Sequence, residues 1–336
     1  MRRRRWILGA VGLALVVIVA VAAWYEIEAN PSGGPGPSVI VHVAKGEGGD
    51  SVAGQLAARG VVGSSLALRL SFLIHGTPTI EPGFYQFHQN LSFSAARQVL
   101  DGGPNVFAVD VLPGYTVSEV ANAVDDLPGL RGRDFLALAR SGAVPSPLQP
   151  PGVTSLEGLL GTGIYQVVDG ETERQLLTAM VDRFDHQALA AGVTPAAAAK
   201  LGMTPYQVVT VASIVEKEGY LTRNMPQVAR VVYNRLAAGT PLQMDSTVLY
   251  SLGQDGGTVT PADLRIDTPY NSYLHAGLTP TPICIPSSAA LAAAADPPPG
   301  GWLFFVVVDK SGTEAFADTY AEQQINEQLA KSRGVG

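Results

Sequence analysis

The chain has 336 residues, and 46% of them are hydrophobic, which is enough for a sizeable core and for two domains. Of its 22 basic residues, four stand at positions 2–5, which leaves 18 basic residues against 29 acidic ones in the remainder. An acidic chain without a basic stripe cannot neutralise many phosphates, and this argues against nucleic acid as a partner.

Cysteine and histidine are sparse. Cys284 is the only cysteine, which excludes an internal disulfide and a cysteine-based metal cage. The five histidines are scattered and have no HExxH-type spacing. We therefore expect neither a metal site nor a cofactor.

The N-terminus has the pattern of a membrane anchor. Four arginines at positions 2–5 precede an uncharged run from Ile7 to Trp24, long enough for a helix that crosses a bilayer. The arginines predict that the N-terminus stays in the cytoplasm and that the rest of the chain lies outside. A cleaved signal peptide is the alternative, because small residues at 20–23 could form a cleavage site. The apolar run is long for a signal peptide, so an uncleaved anchor is expected.

Strand–turn–helix units of similar size follow a Gly/Pro/Ser-rich stretch at 30–38, which reads as a linker. Residues 39–59, 84–103 and 106–125 each combine these elements, and Thr116 with Glu119 forms a capping-box pattern. Ordinary α+β packing explains these units, and so does a small surface-binding module of the LysM sort.

The central feature is a helix predicted from Thr204, as N-cap, to Gly219. Its apolar stripe has Glu216 at one edge and Glu218 at the other, about 200° apart at 100° per residue. The two carboxyl groups cannot converge on one substrate, so only one is expected to do chemistry. The last helical turn and the apolar neighbours favour a raised carboxyl pKa, as a general acid needs. Two solvated surface glutamates are the alternative.

Further elements complete the coarse prediction. Helices are expected at about 171–189 and 225–238, a loop-rich groove wall over 242–253 and 267–290, and a buried strand at 302–309 that closes the core.

Several of these segments resemble one protein family. The stretches ASIVEKEG (212–219), LQMDSTVLYSLG (242–253), DTPYNSYLHAGLTP (267–280) and SLEGLLGTGIYQV (155–167) are similar to the MltG or YceG-like family of endolytic murein transglycosylases. The resemblance implies cleavage of the β-1,4 bond between N-acetylmuramic acid and N-acetylglucosamine without water, which leaves a 1,6-anhydro-muramyl end. One carboxyl group suffices for this reaction, first as an acid and then as a base.

The same resemblance implies site residues. Glu218 matches the register of the catalytic acid, with Ile214 four residues before it, and Glu216 is the runner-up. Substrate contacts are implied for Gln243, Asp245, Thr247, Tyr270, Asn271 and Tyr273, and supporting roles for Glu157, Asn234 and Arg235. Structural roles remain open alternatives: turn-capping for Asp245 and Thr247, core packing for one of the two tyrosines, helix orientation for Asn234 and Arg235, and a helix cap for Glu157.

The chain departs from the pattern in two places. Gly219 stands where other lytic transglycosylases carry Ser or Thr, and Glu314 and Gln323 stand where the family often has histidines. Because of these departures, a non-catalytic, glycan-binding scaffold remains an alternative function. A hydrolytic muramidase that uses Asp245 to direct water is a second alternative.

The resulting prediction is an α+β protein with a single transmembrane helix. Its expected parts are a cytoplasmic tail (1–6), an anchor (7–25), a flexible linker (26–38), a LysM-like subdomain (39–105) and a YceG-like catalytic domain (106–334) outside the cytoplasm. Peptidoglycan strands are the expected substrate, and penicillin-binding synthases are partners by family analogy.

Overall fold

The protein combines helices and strands, which confirms the α+β prediction. The computed structural model describes residues 2–219 and 221–335, so Met1 of the predicted tail lies outside the described residues. Its first element is the long helix α1 (Arg2–Ala29), in which the stretch 9–29 is apolar enough on average and long enough to span a bilayer, by length and composition alone. The chain divides into two compact units, residues 1–108 with 166–170 and residues 109–165 with 171–336.

The first unit is built on antiparallel strands with helices between them. After α1 its elements are β1 (Ser38–Val43), α2 (Gly49–Ala58), α3 (Ser65–His75), β2 (Gly83–His88) and α4 (Phe93–Asp101). Strands β1 and β2 pair from Ser38 with His88 to Val43 with Gly83. The core between these elements includes Tyr85, Phe87 and Leu56, all almost fully buried. Helix α3 was not anticipated from the sequence.

The segment that follows α1 differs from the predicted flexible linker. Residues 26–29 belong to α1, whose last turns pack Trp24 and Tyr25 against the core of the first unit. Beyond the helix, the backbone N–H of Gly36 donates to the carbonyl of Gln89, and the Asn90 amide donates to two carbonyls at residues 32 and 34. The prediction of an unpacked linker is therefore wrong, because these backbone groups find partners in the first unit.

The four strands of the main sheet follow chain order, β1-β2-β3-β4, where β3 is Val106–Val111 and β4 is Gly163–Val168. The second unit is mainly helical. Its helices are α5 (Val117–Asp125), α6 (Gly132–Ser141), α7 (Glu173–Ala190), α8 (Pro195–Lys200), α9 (Pro205–Glu218), α10 (Met225–Ala237), α11 (Asp245–Ser251), α12 (Ser288–Ala295) and α13 (Tyr320–Ser332). A two-stranded hairpin of β5 (Phe304–Val307) and β6 (Glu314–Ala317) precedes α13.

Helix α9 lies at the centre of the second unit. Thr204 is its N-cap residue, as predicted, and forms a capping box with Gln207, while Pro205 occupies the first helical position. Residues 208–215 are all buried, so the helix is enclosed on every side and not along a single stripe. The hydroxyls of Thr210 and Ser213 donate to carbonyls of the same helix, which satisfies them inside the core.

Two further predictions for this unit are corrected. Residues 302–309 do not form a buried strand: β5 is half-buried because it belongs to a two-stranded hairpin against which α13 packs. The predicted groove wall at 242–253 and 267–290 is not wholly loop, because Asp245 to Ser251 form helix α11, which packs against α9. This short helix supplies one wall of the site.

Candidate active site

Glu218 is the last residue of α9, and its carboxyl group is held by the first turn of α11. Oε1 of Glu218 accepts hydrogen bonds from the hydroxyl of Ser246 at 2.6 Å and from the Ser246 backbone N–H at 3.2 Å. Burial raises the pKa of the Glu218 carboxyl, although the two Ser246 donors oppose the rise; the negative charge of Asp245 adds to it. A carboxyl group in these surroundings retains its proton to higher pH than an exposed one.

Glu216 has different surroundings. Its Oε2 accepts the backbone N–H of Ser287 at 2.8 Å, and Ser287 is the N-cap residue of α12. A carboxylate at the N-terminus of a helix is favoured by the helix dipole. The two glutamates of α9 therefore serve different neighbours, as their angular separation on the helix predicts.

Glu218 lines a cavity of about 790 Å³ within the second unit. Among the described residues, the lining includes Glu218 but not Glu216. Walls are supplied by the start of α5, by α11, by the loop after α11 and by single residues from other segments. The lining residues are Thr116, Ser118, Glu119, Asn122, Arg140, Glu157, Lys217, Glu218, Asp245, Ser246, Leu249, Tyr250, Ser251, Gly253, Gln254, Asp255, Gly256, Gly257, Thr268, Tyr270 and Ile283.

Glu157 is a second carboxyl group of the cavity lining and is only 5% exposed. Its Oε1 accepts the backbone N–H of Val117 at 3.0 Å, in the first turn of α5, and its Oε2 accepts the hydroxyl of Tyr250 at 3.3 Å. Burial raises the pKa of Glu157 from 4.5 to about 7, against the lowering effect of these two donors. The contact with Val117 is a helix-cap interaction, the structural alternative considered from the sequence.

Two basic groups also reach the cavity. Lys217, between the two glutamates, forms an ion pair with Asp255 in the loop after α11. The guanidinium of Arg140 donates to the hydroxyl of Ser118 at 3.2 Å. These groups partly balance the carboxyl groups of the lining.

The residues with implied substrate contacts fall into two groups. Asp245 and Tyr270 line the cavity, and Tyr273 donates its hydroxyl to Asp245 at 2.6 Å. Thr247 and Asn271 are buried, with exposures of 0% and 1%, and their side chains bond within the protein. The Thr247 hydroxyl donates to the Met244 carbonyl. This geometry favours the turn-capping alternative for Thr247 and a loop-organising role for Asn271.

Contacts that fix loops are made by four of the predicted site residues: Asn271, Gln243, Asn234 and Arg235. The Asn271 amide donates to the carbonyls of residues 264 and 266, and the Asn234 amide donates to those of residues 300 and 302. Arg235 donates to the carbonyls of residues 241, 242 and 303 and to Oε1 of Gln243. The contacts of Asn234 and Arg235 agree with the structural alternative more than with substrate contact.

Sequence reasoning missed Ser246, Tyr250 and the Lys217–Asp255 pair. A helical reading of residues 245–251 would have placed Ser246 and Tyr250 on one face, since they are four residues apart. The contacts themselves are between segments distant in the chain, and no local pattern encodes them.

Gly219 ends α9 with φ −74° and ψ 88°, a conformation open to other residues. The constraint is space: a Cβ atom at this position would lie 2.9 Å from the Val215 carbonyl oxygen and 2.8 Å from Cγ of Met225. The departure from Ser or Thr therefore has a local steric reason.

We expect Gly219→Ser to lower the free energy of unfolding by about 1–3 kcal/mol, because the backbone oxygen of Val215 cannot move aside cheaply. Gly34→Ser is the control, since a Cβ there meets no atom of the described residues within 4 Å. Chemical denaturation of both variants measures the difference. Equal stability of Gly219→Ser and the unsubstituted protein would contradict this steric account.

The raised pKa of Glu157 has a consequence for stability. Between pH 4.5 and about 7 the folded state keeps a proton that the unfolded state loses, so stability falls as pH rises through this range and levels off above it. Glu157→Gln cannot ionise and lacks this fall. We expect its stability relative to the unsubstituted protein to improve by roughly 3 kcal/mol from pH 4.5 to pH 8. Urea unfolding at both pH values measures it, and a pH-independent difference would refute it.

Comparison with known proteins agrees with this architecture. The sequence profile of the YceG-like family matches residues 41–329. A protein named endolytic murein transglycosylase from Bacillus subtilis is 27% identical over 262 residues, which cover 73% of this chain and 72% of that protein. One of the same name from Streptococcus pneumoniae is 27% identical over 282 residues, with 74% of this chain and 50% of that protein covered.

A solved structure supports the fold. The crystal structure of a yceG-like protein from Listeria monocytogenes superposes with a TM-score of 0.61 at 23% identity, over 86% of this chain and 98% of that one. At this identity the likeness concerns the fold alone. Because the family profile covers most of its length, the chain belongs to the YceG-like family.

Proposed function

We propose that this chain is an endolytic murein transglycosylase that cleaves peptidoglycan glycan strands internally. Family membership and the names of the two relatives support this function. The observation that carries it is the position of Glu218: one carboxyl group with a raised pKa, at the end of a buried helix, facing a cavity of about 790 Å³.

The proposed reaction uses Glu218 twice. The protonated carboxyl group donates its proton to the oxygen of the bond between N-acetylmuramic acid and N-acetylglucosamine as that bond breaks. The carboxylate then takes the proton of the C6 hydroxyl, whose oxygen attacks the anomeric carbon and closes the 1,6-anhydro ring. Burial favours the protonated state before the reaction, and the Ser246 donors stabilise the carboxylate that follows. The neighbouring N-acetyl group of the substrate can stabilise the positive centre.

The Glu218 surroundings also bear on the hydrolytic alternative. In that reaction Asp245 would direct water, but its Oδ1 already accepts the Tyr273 hydroxyl at 2.6 Å. This contact favours a supporting role for Asp245. The implied sugar contacts of Gln243, Asp245, Tyr270 and Tyr273 remain part of the proposal.

The proposal extends to location and partners. Helix α1 is the single-pass membrane anchor, with the N-terminus in the cytoplasm and the site outside. Two helices between antiparallel strands support a LysM-like subdomain over 39–105, followed by the catalytic domain over 106–334. An anchored enzyme would act on new glycan near the membrane, where penicillin-binding synthases are the proposed partners.

Mass spectrometry of uncross-linked glycan strands incubated with the full chain tests the function. We expect 1,6-anhydro ends from the unsubstituted protein and from Glu216→Gln, because glutamine still accepts the Ser287 N–H. Glu218→Gln is expected to be slower by about 10²-fold or more, since it lacks the proton donor. Circular dichroism confirms that both variants fold.

Three outcomes would contradict the proposal in different ways. Reducing ends from the unsubstituted protein would indicate hydrolysis. Glycan binding without any cleavage would indicate a scaffold. Loss of activity in Glu216→Gln with retention of activity in Glu218→Gln would indicate that Glu216 is the catalytic acid.

A further inference from the structure

Two side chains on one face of helix α11 donate hydrogen bonds to two glutamates of the cavity lining. Ser246 and Tyr250 are four residues apart, so their side chains project from the same side of the helix about one turn, or ~5.4 Å, apart. Ser246 donates to Glu218, and Tyr250 donates to Glu157. The cavity therefore continues along α11 from the proposed acid to a second carboxyl group, which the proposed reaction does not use.

A pair of aromatic rings lines the cavity beside this second carboxyl group. The ring of Tyr250 lies against that of Tyr270, with centroids 4.9 Å apart and planes inclined at 56°. Both tyrosines line the cavity together with Glu157. Hydrogen bonds of their hydroxyl groups hold both rings in place: the Tyr270 hydroxyl bonds to that of Thr281 at 2.9 Å, and the Tyr250 hydroxyl donates to Glu157.

The Glu157 carboxyl group is positioned from two sides. Val117 in the first turn of α5 binds one oxygen, and Tyr250 of α11 binds the other. Each carboxylate oxygen has a second acceptor position, so two protein donors leave acceptor capacity unused.

We infer that Glu157, Tyr250 and Tyr270 form a second saccharide subsite, one helical turn along α11 from Glu218. A sugar unit of the glycan, neighbouring the bond at Glu218, lies against the tyrosine rings. Glu157 accepts a hydrogen bond from its hydroxyl or acetamido N–H. A sugar ring offers both an apolar face and N–H or O–H donors, which matches this combination of groups. Glu157 is thus a positioning residue, and the inference rests on the proposed function because the ligand is a glycan.

Affinity for glycan tests the subsite without turnover. The full chain with Glu218→Gln binds uncross-linked glycan oligosaccharides, and the dissociation constant is measured by calorimetry with and without a second substitution. We expect Glu157→Gln and Tyr250→Leu each to weaken binding by ~10-fold, while Tyr250→Phe, which keeps the ring, stays within ~3-fold. Asp185→Asn is the matched control, since Asp185 is a partly buried carboxyl group that accepts the Ser146 hydroxyl outside the cavity lining.

Steady-state kinetics with Glu218 intact gives a second readout. If the tyrosine positions substrate, Tyr250→Leu raises KM by a larger factor than it lowers kcat, and Tyr250→Phe restores both values. If its role is purely structural, Tyr250→Leu lowers the melting temperature and leaves the dissociation constant unchanged. An unchanged dissociation constant in both Glu157→Gln and Tyr250→Leu overturns the subsite, even if anhydro ends still form. Absence of anhydro ends from the unsubstituted protein overturns the proposed function instead, and the affinity comparison remains a test of the subsite.

Discussion

The Glu218 carboxyl group leaves the end of a buried helix and accepts two hydrogen bonds from Ser246, in the first turn of α11. Two opposing effects meet at this contact. Burial raises the pKa of the carboxyl group, and the donors lower it, with burial the larger effect. The donors orient the group without making it a strong acid. An acid that must give up a proton and take one back needs this balance.

The fold supplies the burial through helix α9. Its residues 208–215 are enclosed on all sides, so the helix has little freedom to rotate or shift. The close approach of Val215 and Met225 leaves no room for a Cβ atom at Gly219, where the helix ends. With the helix fixed, two glutamates two positions apart acquire separate tasks: Glu216 caps α12, and Glu218 faces the cavity.

The elements that local sequence determines were predictable, and the tertiary contacts were not. Thr204 and Pro205 mark the start of α9 because capping is a local interaction, and the separation of the two glutamates follows from helical geometry. Helix α11 escaped prediction because its N-cap, Met244, makes no side-chain cap and the helix has only seven residues. The apolar run at 302–309 suggested burial, but a two-stranded hairpin leaves it half-exposed. Glu157 meets partners 40 residues before it and 93 after it, which no local pattern could reveal.

The pKa of Glu218 is the most direct test of its role as the acid. Infrared difference spectra between the unsubstituted protein and Glu218→Gln, recorded across pH, isolate the titration of this carboxyl group. We predict a midpoint above 4.5, and a higher one in Ser246→Ala, where burial acts with fewer opposing donors. A midpoint at or below 4.5 would contradict the claim that burial at the end of α9 prepares Glu218 as the acid.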